Sequence, residues 1–182
     1  MLLSTFHHMP MVLIDWMLCQ QAITDKLSRI AQHVRVEVLS HQWQPTNDWE
    51  HRLLRVTDSQ LIRRDVVIKA DGQPCWFART MIPEQTYQQD PVFFDRLERT
   101  SLRTLVYHEP RVLRSLMHSY SFSQAVLEYH WLPQSFSEVA DHLWGRLSMF
   151  HFDRQGYFYL FEVFLPRFIR ALESSLPINA GG

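Results

Sequence analysis

The stretch Gly156–Pro166, GYFYLFEVFLP, limits the folds open to this chain more than any other. Aromatic and branched aliphatic residues fill it, and one charge, Glu162, interrupts them. Such a composition suits a strand buried on both faces. On a two-residue period Glu162 shares a face with Phe158, Leu160 and Phe164. A carboxylate among such neighbours costs several kcal/mol unless it is paired or hydrogen-bonded. The fold must therefore bring it a cation, a polar network or a ligand.

A second charge of opposite sign stands on another apolar face. Residues 61–69 and 75–82 read as two strands, with Asp71-Gly72 at the turn between them. On the first strand Ile62, Arg64, Val66 and Ile68 share one face, and Arg63, Asp65, Val67 and Lys69 share the other. The second face alternates as a solvated surface does. The first is apolar apart from Arg64, and an inward arginine calls for a carboxylate, from a side chain or a ligand. If both strands lie in one sheet with these faces together, Arg64 and Glu162 line one cavity. The bland alternative pairs them directly as a core salt bridge, which desolvation leaves only modestly stabilising.

Elsewhere the pattern alternates between helix and strand. Leu13, Trp16, Met17, Leu27 and Ile30 recur at helical spacing, weakened at Gln20-Gln21, which predicts two short helices. The second begins near Thr24 with Asp25 at its positive end. Backbone amides near Ile23 then point outward, available to an anion. Val34, Val36 and Val38 mark a half-exposed strand; residues 44–49 read as a loop and 50–57 as a weak strand. Residues 84–111 are helical in pattern, 124–132 alternate like a strand, and 133–142 are loop or short helix. Leu143–Phe152 is a strand in which Gly145 marks a bulge or a close approach, and a turn at 153–156 makes it a hairpin with the opening stretch. Phe168, Ile169, Leu172 and Leu176 predict a short amphipathic helix before a frayed Gly-Gly end.

Length and composition bound the function. A chain of 182 residues is one domain by default, and 46% hydrophobic content supplies a proper core. The net charge of −1 argues against a nucleic-acid or membrane surface built on bulk charge. Cys19 and Cys75 form no metal or redox motif and fit a reducing compartment. The first lysine or arginine is Lys26, so no secretory signal is read, and no run reaches the roughly 18 apolar residues of a membrane span. A cytoplasmic, monomeric protein is expected. There is no phosphate-binding glycine loop, no nucleophile elbow and no histidine at metal-ligand spacing; apart from His7-His8 the histidines are scattered singly. The aromatics fall on core strands, so no base-stacking surface is read.

Four separated motifs then align with one family. LIDWML at 13–18, ADGQP with ARTMIP through 70–83, LWGR at 143–146 and FEVFLP at 161–166 resemble, in order and spacing, the bacterial chorismate pyruvate-lyases. Those enzymes convert chorismate to 4-hydroxybenzoate and pyruvate for ubiquinone synthesis. The resemblance implies an α+β fold, a single antiparallel β-sheet flanked by helices that enclose an internal ligand pocket. It implies one domain over 1–182 with a short helical extension after about 166. It implies no metal or redox cofactor, and chorismate and 4-hydroxybenzoate as the small-molecule partners. The family's active-site arginine falls on Arg64 and its glutamate on Glu162, the two charges singled out by periodicity. Its backbone contacts fall on Ile23, where the family often has methionine, and on Leu113, with Leu102 as the other candidate. The family has glycine after that leucine, whereas Arg114 follows Leu113 here. Effector-sensing domains of some transcription regulators share the fold without chemistry. They carry a DNA-binding domain ahead of it, and a first helix starting near residue 12 leaves no room for one.

Overall fold

Asp71 and Gly72 form the expected tight turn, with φ of 49° and 80°. This is the left-handed geometry a short hairpin needs, and Gly72 adopts it without steric penalty. The Asp71 carboxylate also accepts from the amides of Gln32 and His33, fixing the start of the preceding strand beside the turn. In the computed structural model, which describes residues 9–136, 140–153 and 155–175, this hairpin supplies two strands of a six-stranded sheet. The strands are β1 (Val34–Pro45), β2 (Gln60–Ala70), β3 (Gln73–Pro83), β4 (Val112–Phe122), β5 (Leu143–Phe152) and β6 (Gly156–Phe164). Their spatial order is β1-β2-β3-β6-β5-β4, and every neighbouring pair is antiparallel. The opening stretch, β6, lies at the centre between β3 and β5, which is why both of its faces are apolar.

Among the described residues seven short α-helices accompany the sheet: α1 (Met11–Met17), α2 (Ile23–Leu27), α3 (Asp48–Leu53), α4 (Glu84–Tyr87), α5 (Pro91–Asp95), α6 (Leu102–Val106) and α7 (Pro166–Ser174). The break between α1 and α2 falls at Gln20-Gln21 as expected, and α7 buries Phe168 and Ile169. One face of the sheet packs against α1, α2, α5, α6 and α7, joining Leu13, Trp16, Phe93, Leu105 and Phe168 to Ile62, Val66, Phe158 and Phe164. Among the described residues no helix is long and apolar enough to cross a membrane. His7-His8, Leu176 and the terminal Gly-Gly lie outside the described residues.

Four expectations are corrected. Residues 50–57 are not a strand. Asn47 and Glu50 form a reciprocal capping box that starts α3, and β1 runs on through Gln44 and Pro45, where a loop was expected. Residues 124–132 are not a strand either; Leu127–Trp131 is a 3-10 helix. Strand β4 was not foreseen, because it is an edge strand whose alternation breaks at a register shift between Arg114 and Leu116. Finally, the second face of β2 is not solvated. Leu61, Val67, Phe77, Met81, Phe161 and Val163 point to it, and Leu54, Val56 and Leu132 cover it. Its charges are paired under that cover: Arg63 with the fully buried Glu50 at 2.6 Å, and Arg79 with Asp65 at 2.7 Å.

Gly145 marks a close approach rather than a bulge. The β5–β6 register is continuous there, and a Cβ at this position would come within 2.9 Å of the Phe122 ring and 3.1 Å of the Glu162 carbonyl oxygen. Substitution Gly145→Ala is therefore expected to lower unfolding stability by about 1–3 kcal/mol through overpacking. Urea denaturation of the variant checks this, a shift in midpoint at constant slope being the expected result.

Candidate functional site

Register places the two charges. In one cross-strand row Val66, Ala78, Glu162 and Arg146 face each other in turn across β2, β3, β6 and β5. In the next row stand Arg64, Thr80, Leu160 and Ser148. Arg64 and Glu162 are thus two strands and one row apart, about 10 Å across the sheet. They do not pair. Both line one cavity of about 60 Å³, floored by Val66, Ile68, Trp76, Ala78, Thr80 and Leu160 and roofed by residues of α2 and α6 with Tyr107. Ala78, directly opposite Glu162, is small enough to leave the floor open between the charges.

The Arg64 guanidinium is buried. Its Nε donates to the Leu97 carbonyl at 2.9 Å and its Nη2 to the Thr100 carbonyl at 3.3 Å. Among the described residues it makes no ion pair. Burial pushes its pKa down to about 10, which leaves it charged at neutral pH. Carbonyl oxygens orient this cation without neutralising it, so a carboxylate entering the cavity meets a full positive charge. His41 faces Arg64 across the β1–β2 pair, and burial first, then the Arg64 charge, holds the imidazole below its ordinary pKa.

Glu162 is held from the other side. Arg146 Nε donates to Glu162 Oε2 at 2.5 Å, and both side chains are almost wholly buried. The same guanidinium donates through Nη1 to the carbonyls of Trp16 at 3.1 Å and Cys19 at 2.9 Å. It thereby satisfies orphan carbonyls at the end of α1 and ties the α1–α2 linker to the sheet. Sequence reasoning missed Arg146, although the signal was present. On β5 it shares a face with Trp144 and Phe150, the same kind of intrusion that singled out Arg64.

Of the residues expected to offer backbone contacts, Ile23 is at the cavity. It is the first residue of α2, whose N-cap Ala22 supplies no side-chain hydrogen bond. Leu113 is not there. It lies on β4 with 62% of its surface exposed, because the register shift turns its neighbour Arg114 inward instead. Arg114 donates through Nη1 to the Gln20 carbonyl at 3.0 Å and through Nη2 to Tyr107 Oη. Leu102, the other candidate, lines the cavity at the first position of α6, behind the N-cap Ser101. The residue after it is Arg103, also at the cavity. No sequence signal marks Arg103 or Tyr107, since helix-surface and turn positions carry no two-residue pattern.

The family model described as "Chorismate lyase" matches residues 4–172, nearly the whole of this arrangement. The chain belongs to the chorismate lyase family. It is 30% identical over 156 residues to a "Probable chorismate pyruvate-lyase" of Pseudomonas putida, covering 84% of this chain and 80% of that protein. It is 26% identical over 159 residues to one from Psychromonas ingrahamii, covering 85% and 82%. Among solved structures it is similar to a GntR-family transcriptional regulator of Bacillus cereus, with TM-score 0.55 and 8% identity over 82% of this chain and 98% of that one. The effector domain of PhnF from Mycobacterium smegmatis gives TM-score 0.52 at 12% identity, covering 82% and 91%. At such identities the likeness is one of fold. The four motifs of the chorismate lyase resemblance map onto α1, the β2–β3 turn with β3, the start of β5 and the end of β6. The family match reaches residue 172, so most of α7 lies inside it.

Removing one partner of the Arg146–Glu162 pair strands a buried charge. Arg146→Met is expected to cost about 3–5 kcal/mol of stability, and the double variant Arg146→Met/Glu162→Leu to recover most of that loss. Urea unfolding of both variants against the parent tests the coupling.

Proposed function

We propose that this protein is a chorismate pyruvate-lyase that releases 4-hydroxybenzoate and pyruvate, and that the 4-hydroxybenzoate supplies ubiquinone synthesis. The observation that carries this reading is the pair of buried, opposite charges held apart on one apolar cavity wall, Arg64 with no carboxylate partner among the described residues and Glu162 fixed by Arg146. The family and the names of the relatives support it.

Chorismate is a cyclohexadiene carboxylate with a ring hydroxyl and an enolpyruvyl ether on adjacent carbons. In the elimination the ring carbon–oxygen ether bond breaks and its electrons go to the departing oxygen. The hydrogen on the hydroxyl-bearing ring carbon leaves as a proton, and the ring becomes aromatic. The released enolate takes up a proton at its methylene carbon and becomes pyruvate. Aromatisation drives this downhill, so the protein's task is to hold a reactive geometry and stabilise shifting charge. In our reading Arg64 binds the ring carboxylate and Glu162 accepts a hydrogen bond from the ring hydroxyl and assists proton movement. The separation of about 10 Å across two strands, shortened by both side chains, suits groups at opposite ends of a six-membered ring. In our reading the backbone amides of Ile23 and Leu102, both of which line the cavity, hold the ligand from the helical side.

The cavity, about 60 Å³, is smaller than the roughly 150 Å³ void that holds a benzene in an engineered core. A six-membered ring therefore needs a wider cavity than this one.

Incubation with chorismate followed by chromatography tests the reading. Equal amounts of 4-hydroxybenzoate and pyruvate are expected, and Arg64→Ala and Glu162→Ala are each expected to lower kcat/KM by about 100-fold or more, the loss typical of a preorganised electrostatic contact. Near-normal turnover in both variants would reject the assignment. Tight binding of the aromatic acid without any turnover would instead favour a ligand-sensing role.

A further inference from the structure

Chorismate carries two carboxylates, and in the lyase reading, on which the role of Arg103 rests, Arg64 meets one of them. The second carboxylate, on the enolpyruvyl side chain, needs a cation of its own. Arg146 is committed to Glu162, and Arg114 to Tyr107 and the Gln20 carbonyl; neither side chain lines the cavity. Arg103 does. It sits next to Leu102 on α6, and its guanidinium pairs with Asp25 in the first turn of α2 at 2.5 Å. The side chains are 46% and 36% exposed, so the pair bridges the two helices at the cavity mouth.

An ion pair in contact with water is held weakly, because solvent and salt screen it. A carboxylate delivered by a ligand already anchored at Arg64 and Glu162 competes with Asp25 at high effective concentration. We propose that Arg103 selects the dianionic substrate: it exchanges Asp25 for the side-chain carboxylate of chorismate. The product 4-hydroxybenzoate has one carboxylate, engages Arg64 alone and lets Arg103 return to Asp25. Arg103 therefore discriminates substrate from product, while Arg64 and Glu162 hold the ring common to both.

The test is steady-state kinetics with chorismate alongside calorimetric binding of 4-hydroxybenzoate, in the parent, Arg103→Gln and Asp25→Asn. Arg103→Gln is expected to raise KM for chorismate about tenfold with kcat nearly unchanged, the loss of one charge-assisted contact made in ground and transition states alike. The Kd for 4-hydroxybenzoate is expected to stay within about twofold, the change allowed for a group the product does not touch. Asp25→Asn removes the competitor and is expected to lower KM for chorismate. An unchanged KM in Arg103→Gln, an equal loss of product affinity, or a raised KM in Asp25→Asn would each overturn the proposal. A parent that does not convert chorismate fails the lyase reading itself, and the role of Arg103 falls with it. A parent that turns over normally while Arg103→Gln behaves identically fails the role of Arg103 alone.

Discussion

The contact between Arg146 and Glu162 is the interaction on which the remaining geometry depends. It sits in the middle of the sheet, joins β5 to β6, and is almost wholly excluded from water. Left alone, either charge would cost the sheet about 3–5 kcal/mol. Together they neutralise each other and leave spare donors on Arg146, which reach carbonyls of Trp16 and Cys19. One guanidinium thus fixes the orientation of a carboxylate on the sheet and the position of the helical linker above it. The first residues of α2 continue directly from that linker, so the roof and floor of the cavity are set by the same side chain.

Arg64 is managed in the opposite way. Its donors go to carbonyl oxygens of the segment before α6, which orient but do not neutralise. The two central charges are therefore held differently, one by an ion pair and the other by neutral carbonyl oxygens. Keeping them apart depends on the register of three strands and on a small residue, Ala78, between them. The second hydrophobic layer, on the far side of the sheet, makes this register hard to change, because a slip by one residue would exchange the two buried faces.

Arg64 and Glu162 were legible in the sequence because each breaks an apolar face that a two-residue period defines. Arg146 breaks its face in the same way, but Gly145 beside it drew attention to the backbone instead. Strand β4 was hidden by its own irregularity. The shift near Arg114 turns that charge inward and Leu113 outward, the reverse of what residue type suggests. Leu113 lies away from the cavity for the same reason, whereas Leu102 lines it. Helix α3 was announced by Asn47 and Glu50 three residues apart, a capping signature that outweighs the weak strand pattern of residues 50–57. The cover over the second face came from residues distant in sequence, such as Leu132 and Val56, and no local period reveals a partner of that kind.

Both outer strands carry an irregularity. The β1–β2 pairing shifts between Val38 and Ser40, and the β4–β5 pairing shifts between Arg114 and Leu116. An uninterrupted row of free amides and carbonyls is what an incoming strand from another molecule would need as a template. Here the open border is interrupted near the middle of β1 and close to the start of β4, so neither presents a long straight comb of hydrogen-bonding groups. The same bend that disguised β4 in the sequence thus helps to guard the finished sheet against growing sideways.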